Sequence, residues 1–213
     1  MADSSTTPIP SSPQKIGTPT HVSEQAYELL LTSILHFIEK ECQREHQDVL
    51  SNENTSNEDR TKRVILIAEH TAAKMERMGY DVGFRIVERL LQNKSLVPNV
   101  APGKSVTTAS IQLEVMKFIC KEFWMEIFSK QVDKLQTNHK GVFVLKDSDF
   151  KWLKRLPGNV EVARVTAIKI LAFPCGLIRG ALANMNISAV VSCDFLADGK
   201  NMQSCSFNIK IKS

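Results

Sequence analysis

Paired cysteines are missing from this chain. Its five cysteines (Cys42, Cys120, Cys175, Cys193 and Cys205) are an odd number at irregular intervals. No CxxC occurs and no Cys/His spacing fits a zinc finger, so neither a disulfide framework nor a structural zinc site is expected to organise the fold. Reduced thiols in a reducing compartment are the plain reading. A Cys193–Cys205 contact across a hairpin is the one pairing the pattern offers. Residues 1–20 contain no apolar h-region, so no secretory signal is expected, and no apolar run near the ~20 residues of a bilayer span is expected either. Charge of one sign is scarce: 27 basic and 23 acidic side chains leave a formal net charge of +4. Nucleic-acid binding would need a concentrated basic face interleaved with aromatics, so no nucleic-acid partner is expected. Lys151, Lys154 and Arg155 form one small cluster, read as solvated surface.

Signatures of chemistry are absent too. There is no P-loop, no dinucleotide-binding glycine fingerprint, no HExxH and no GxSxG. The five histidines (His21, His36, His46, His70 and His139) are scattered. A thiol enzyme using Cys120 or Cys175 is the catalytic alternative, but both lie in apolar surroundings, which raise a thiol pKa and suppress reactivity. The reading is a non-catalytic chain with no metal and no cofactor.

What is present suits one globular core. The 213 residues are 43% hydrophobic and 23% charged, enough for a core without staples. Residues 1–20 are rich in Ser, Thr and Pro and cannot bury enough surface to offset their ordering, so a disordered tail is expected there. Residues 21–213 read as a single α+β domain.

A first helix is expected from Ser23, an N-cap residue. One face takes Tyr27, Leu30, Leu31, Ile34 and Ile38; Leu29, Leu35 and Phe37 widen the stripe beyond one core contact. The excess width calls for a second covering surface, such as another protein. Residues 46–60 are polar and read as an exposed loop. A second helix carries Val64, Ile67, Ala68, Thr71, Ala72, Met75 and Met78, with Gly79 as its C-cap and Asp81 opening a third segment through Ile86, Val87, Leu90 and Leu91. Residues 93–107 read as a loop. From about Ser110 to Ser129, Leu113, Met116, Ile119, Cys120, Phe123, Trp124 and Ile127 follow a buried helical stripe. Residues 132–137 and 142–146 flank Asn138-His139-Lys140-Gly141, a hairpin signal. Pro174 suits the first turn of a further helix, where Gly176 and Gly180 allow close packing, here expected on a sheet. Two alternating strands, 189–196 and 205–212, flank Asp198-Gly199. The order gives an antiparallel sheet of about four strands with helices packed on one face.

One stretch carries a family resemblance. Met116-Lys117-Phe118-Ile119-Cys120-Lys121-Glu122-Phe123-Trp124, the run from Ile127 to Leu135, and Thr137-Asn138-His139-Lys140-Gly141 closely resemble the Bet-type small subunits of the TRAPP vesicle-tethering complex, on the sixth-subunit branch. Met78-Gly79-Tyr80-Asp81-Val82-Gly83, Ile86-Val87-Glu88-Arg89 and the run from Cys175 to Leu182 agree in the same order, so the likeness covers most of residues 23–213. It differs in the tail and at 46–60, 93–107 and 157–163.

The resemblance implies a four-stranded antiparallel sheet with helices on the other face. It implies a heterodimer with a palmitoylated Bet-type paralogue, made largely through the first two helices, within an assembly of other TRAPP subunits. That assembly would catalyse nucleotide exchange on a Rab-type GTPase. It would sit on the cytoplasmic side of the endoplasmic reticulum and cis-Golgi as a peripheral membrane complex. No cysteine lies between Cys42 and Cys120, so no acyl anchor is expected on this chain's second helix. The alternative is an acyl-chain or small-molecule binder. The expected interface pool is Leu29, Leu30, Ile34, Leu35, Phe37 and Ile38 with Val64, Ile67, Ala68, Thr71 and Met75. Which of them face the core and which the partner stays open at this point.

Overall fold

The structure, a computed structural model, describes residues 24–46, 57–92, 107–138, 140–196 and 202–212. The tail assigned to residues 1–20, the Ser23 cap, most of the two expected loops and the Asp198-Gly199 turn lie outside the described residues.

Helix α1 spans Glu24–Glu45 and α2 spans Asn57–Leu91. The second helix corrects the sequence reading twice. It starts inside the segment expected to be loop, and it runs unbroken through Gly79 and Asp81, where a cap and a new helix were expected. Gly79 is there for packing rather than for a turn.

Helix α3 runs Thr108–Phe118, passes through a π-helical turn at Ile119–Phe123 and ends with Trp124–Phe128. Thr107 caps it through a capping box with Ser110. The expected stripe is buried at Met116, Ile119, Cys120, Phe123 and Trp124, joined by Val115, Phe118 and Phe128. The wide turn leaves the Cys120 carbonyl free to accept from the Val132 N–H at 3.0 Å, which ties the helix to the start of the hairpin. Ser129 closes the helix in the left-handed conformation.

The hairpin follows as read, with β1 at Lys134–Thr137 and β2 at Val142–Asp147. Asn138 Oδ1 accepts from the Lys140 and Val142 N–H groups, and Gly141 takes φ +80°, where a side chain would be strained. Strands β3 (Ala189–Phe195) and β4 (Cys205–Ile211) complete one antiparallel sheet in the order β1-β2-β4-β3. Cys193 and Cys205, the one pairing that the sequence left open, do not face each other in this register: Cys193 pairs with Phe207 and Cys205 with Phe195.

Helix α4 spans Val160–Asn184, capped by the Asn159 side chain accepting from the Glu161 and Val162 N–H groups. Pro174 therefore sits inside the helix and not at its start, removing one backbone hydrogen bond in mid-course. By length and composition α4 also meets the requirement of a bilayer span, contrary to expectation, but most of it is buried. It is the central core helix, packed along α2 on one side and over β3 on the other.

The α2–α4 contact is made by four glycines. A Cβ on Gly79 would overlap the Phe173 carbonyl oxygen, and one on Gly83 would lie 2.7 Å from the Leu177 Cα. In return a Cβ on Gly176 would lie 2.8 Å from the Tyr80 nitrogen, and one on Gly180 would overlap the Tyr80 carbonyl oxygen. Close packing at Gly176 and Gly180 was expected, but against a sheet; the partner is a helix. Arg179 covers the seam, its guanidinium carbon 4.8 Å from the Tyr80 ring centre and its Nε 2.9 Å from Glu76 Oε1, though poorly aligned for a hydrogen bond.

Beneath the sheet an aromatic cluster joins the layers. Trp124 packs on Phe128 at 4.4 Å and on Phe207 at 5.4 Å between ring centres, with Phe150 against all three. Trp152, in a short 3-10 turn at Lys151–Leu153, extends the cluster to Phe173 and Tyr27.

Candidate protein-docking face

Helix α1 is held to the body by Leu31, Ile34, Leu35, Ile38 and Cys42, spaced to form one row on a helix. Lys169 of α4, itself buried, reaches Glu39 at 2.7 Å and locks the row in place. This orientation resolves two positions against expectation. Leu30, expected inward, is 57% exposed, while Leu35, expected on the outer margin, is half-buried against the core. The reason is phase: α1 lies on α2 and α4 along the 31-34-35-38 row, which turns Leu30 out. Leu29 (62% exposed) and Phe37 (64%) do face outward, with polar Ser33 and His36 beside them.

On α2, Val64, Ile65 and Leu66 are exposed in succession, Ile67 and Ala68 are half-buried, and Thr71 and Met75 are fully enclosed by this chain. Thr71 donates its hydroxyl to the Ile67 carbonyl at 2.8 Å, so it is satisfied within its own helix. Ile38, Thr71 and Met75 thus belong to the core and present nothing to a partner.

Between the first half of α2 and the first half of α4 lies an open groove of about 440 Å³. Its floor is alanine (Ala68, Ala72, Ala172) and its rims are Val64 and Ile65 on one side, Val165 and Ile168 on the other. Glu69 and Glu76 are the charged groups lining it. Sequence reading missed Ile65, Leu66, Val165 and Ile168, together with Val160 and Val162, which are also exposed. The signal is present: residues 160–172 are apolar on more than one helical side, the same excess width as in α1. Small residues on a groove floor and large ones on its rim suit an inserted helix side, because exposed apolar surface of this extent is unfavourable in water.

A second, smaller cavity of about 260 Å³ lies between α1, the 3-10 turn and α4, against Leu35, Trp152 and Ile170. That is below the roughly 300–1,000 Å³ of small-molecule sites. The basic cluster beside it is largely committed to its own chain: Arg155 pairs with Glu28 at 3.1 Å and Lys154 with Asp149 at 3.4 Å.

The thiols are free. Burial pushes the Cys120 thiol up to about 12 and Cys205 higher still. Cys175 donates to Cys193 and is buried, which raises it, whereas accepting that hydrogen bond lowers Cys193. Iodoacetamide at pH 7.5 is therefore expected to modify Cys193 well before Cys120, Cys175 or Cys205, as read by peptide mass spectrometry. Rapid loss of Cys120 or Cys175 would revive the thiol-enzyme alternative. Among the described residues no group of three or more metal-ligating side chains occurs.

The family model described as "Transport protein particle (TRAPP) component" matches residues 27–212. The chain is 38% identical over 140 residues to trafficking protein particle complex subunit 6b of Danio rerio, covering 66% of this chain and 78% of that protein. It is 37% identical over 139 residues to human subunit 6B, covering 65% and 77%. Subunit 6A of Bos taurus is 34% identical over 138 residues, covering 65% and 76%. In three dimensions the fold resembles a subunit 3 from Naegleria fowleri whose structure is described as covalently bound to palmitic acid, with TM-score 0.52 and 15% identity over 90% of this chain and 98% of that one.

Proposed function

Since the chain belongs to the TRAPP component family, we propose that it acts as a non-catalytic scaffold subunit, pairing with a Bet-type paralogue and, through the assembled complex, supporting nucleotide exchange on a Rab-type GTPase. In this reading the complex works at endoplasmic reticulum and cis-Golgi membranes. One observation carries the proposal: the apolar groove between α2 and α4, with the outer strip of α1, is left uncovered by the described residues. A stable interface buries about 800 Å² per partner, and a few large side chains at its centre dominate its energy. Val64, Ile65, Val165, Ile168, Leu29, Leu30 and Phe37 are the side chains placed to supply that centre.

The double variant Val64→Asp/Ile168→Asp is expected to weaken partner binding at least a hundredfold, because two carboxylates would be desolvated in the groove. Phe37→Asp is expected to weaken it about tenfold or more. Circular dichroism and thermal unfolding of the isolated chain should hardly change, since these positions are solvent-exposed. Undiminished co-purification of the paralogue with both variants would place the interface elsewhere.

A further inference from the structure

The helices cover one face of the sheet, and the other face is unusually basic. Its outward positions follow from the strand register. Lys134 of β1 stands directly opposite Lys146 of β2, and Lys210 of β4 stands opposite Val142. Lys212, just past β4, continues the same alternation. Against these four lysines the face carries Asp194, whose carboxylate already accepts from Asn208 at 2.6 Å. Among the described residues no carboxylate pairs with Lys134, Lys146 or Lys210.

Like charges directly opposed across strands have side chains about 5 Å apart and destabilise a sheet. Lys134 and Lys146 accept that repulsion with no counter-ion among the described residues. Lys134 and Lys210 are exposed, Lys146 is half-buried, and the side chains between them on this face are short, such as Val142, Val144 and Val190. With strands about 4.8 Å apart and a rise of about 3.4 Å per residue, the lysines spread over a plane about 10 Å across the strands and about 14 Å along them rather than along a groove. A bound helix would need an apolar ridge, and an added strand would be read through main-chain groups at a sheet edge. A plane of separated cations is complementary to a plane of anions.

We propose that the helix-free face of the sheet docks on an anionic bilayer surface, Lys134, Lys146 and Lys210 meeting phospholipid headgroups. This goes beyond the paralogue-docking reading, which uses the opposite layer of the molecule and stands or falls by its own test. Each lysine near an anionic leaflet contributes about fivefold in partitioning, and the contribution fades over a Debye length of about 10 Å at 0.1 M salt.

The test is flotation of the full-length chain with vesicles of phosphatidylcholine alone or with 30% phosphatidylserine, at 50 and 300 mM salt. The expected result is partitioning to the phosphatidylserine vesicles that falls about a hundredfold in Lys134→Gln/Lys146→Gln/Lys210→Gln and is lost at the higher salt. Lys134→Gln alone should weaken partitioning while leaving the thermal midpoint unchanged or raised, because it relieves the opposed pair. Equal binding to both vesicle types, no binding to either, or binding indifferent to the triple variant would overturn the proposal. So would binding of polyglutamate without binding of vesicles, which would give the face to an acidic polypeptide.

Discussion

Gly180→Val should leave no folded protein, and Gly180→Ala should cost about 3 kcal/mol in urea unfolding. At an ordinary exposed helix position the sign would be reversed, since glycine is about 1 kcal/mol worse than alanine in a helix interior. Here the added methyl group meets the Tyr80 main chain, so α2 and α4 must separate along their whole crossing. Gly79→Ala, Gly83→Ala and Gly176→Ala should behave alike, as each faces backbone of the opposite helix. Gly158 has nothing within 4 Å of its would-be side chain, so Gly158→Ala is the control, expected within about 0.5 kcal/mol of the parent. A stable, native-like Gly180→Ala protein would show that the two helices can move apart cheaply.

These glycines also show why part of the fold was hidden in the sequence. A glycine that ends a helix and one that lets two helices touch carry the same letter, and Gly79 was read as the former. Pro174 was ambiguous in the same way: a first-turn proline is common, yet here the core packing of Phe173, Leu177 and Ile178 holds a helix on both sides of it. Elements with one dry and one wet side were legible. The α3 stripe, the 134–147 hairpin and the alternation of β4 each had a clear period, because each meets the core along a single line. Helices α1, α2 and α4 each meet more than one neighbour, so their apolar residues follow no single period. That is why Leu30 and Leu35 were exchanged, and why the α4 side of the groove was missed altogether.

Asp147→Ala is expected to lower stability by about 3 kcal/mol. The carboxylate is buried at the end of β2, accepting from Lys130 Nζ at 2.6 Å, from Trp124 Nε1 at 3.3 Å and from the Asp149 N–H at 3.1 Å. Removing it strands the indole N–H of a fully buried tryptophan and an ammonium that is only 21% exposed. Asp147→Asn keeps the shape and an acceptor and should cost less. The same cluster shapes the pH profile. Burial opposes the Asp133 charge, but the Ser148 N–H and Lys130 outweigh it and hold the carboxyl below its ordinary value. Its contribution is therefore full above a pH of about 4 and is lost as acid titrates the folded carboxyl. Burial likewise opposes the Lys130 charge, but Asp147 and then Asp133 outweigh it and raise the ammonium. That contribution is full below a pH of about 10 and is lost as base titrates the folded amine. In Asp147→Ala the alkaline loss should shrink, read as a flatter plot of unfolding free energy between pH 9 and 11. An unchanged alkaline limb would show that Lys130 takes its support from elsewhere.

The wide turn at Ile119–Phe123 fits one more residue into α3 than regular helical winding would. Were all of these residues kept and wound regularly, everything after them would swing by about 100° around the axis. Trp124 and Phe128 would leave the aromatic cluster and the polar side would be driven into it. Shortening and lengthening are therefore unequal here: loss of one residue would leave a regular helix with both rings in place and only the tie from the Val132 N–H to the Cys120 carbonyl at stake, whereas one residue more would bring the full swing.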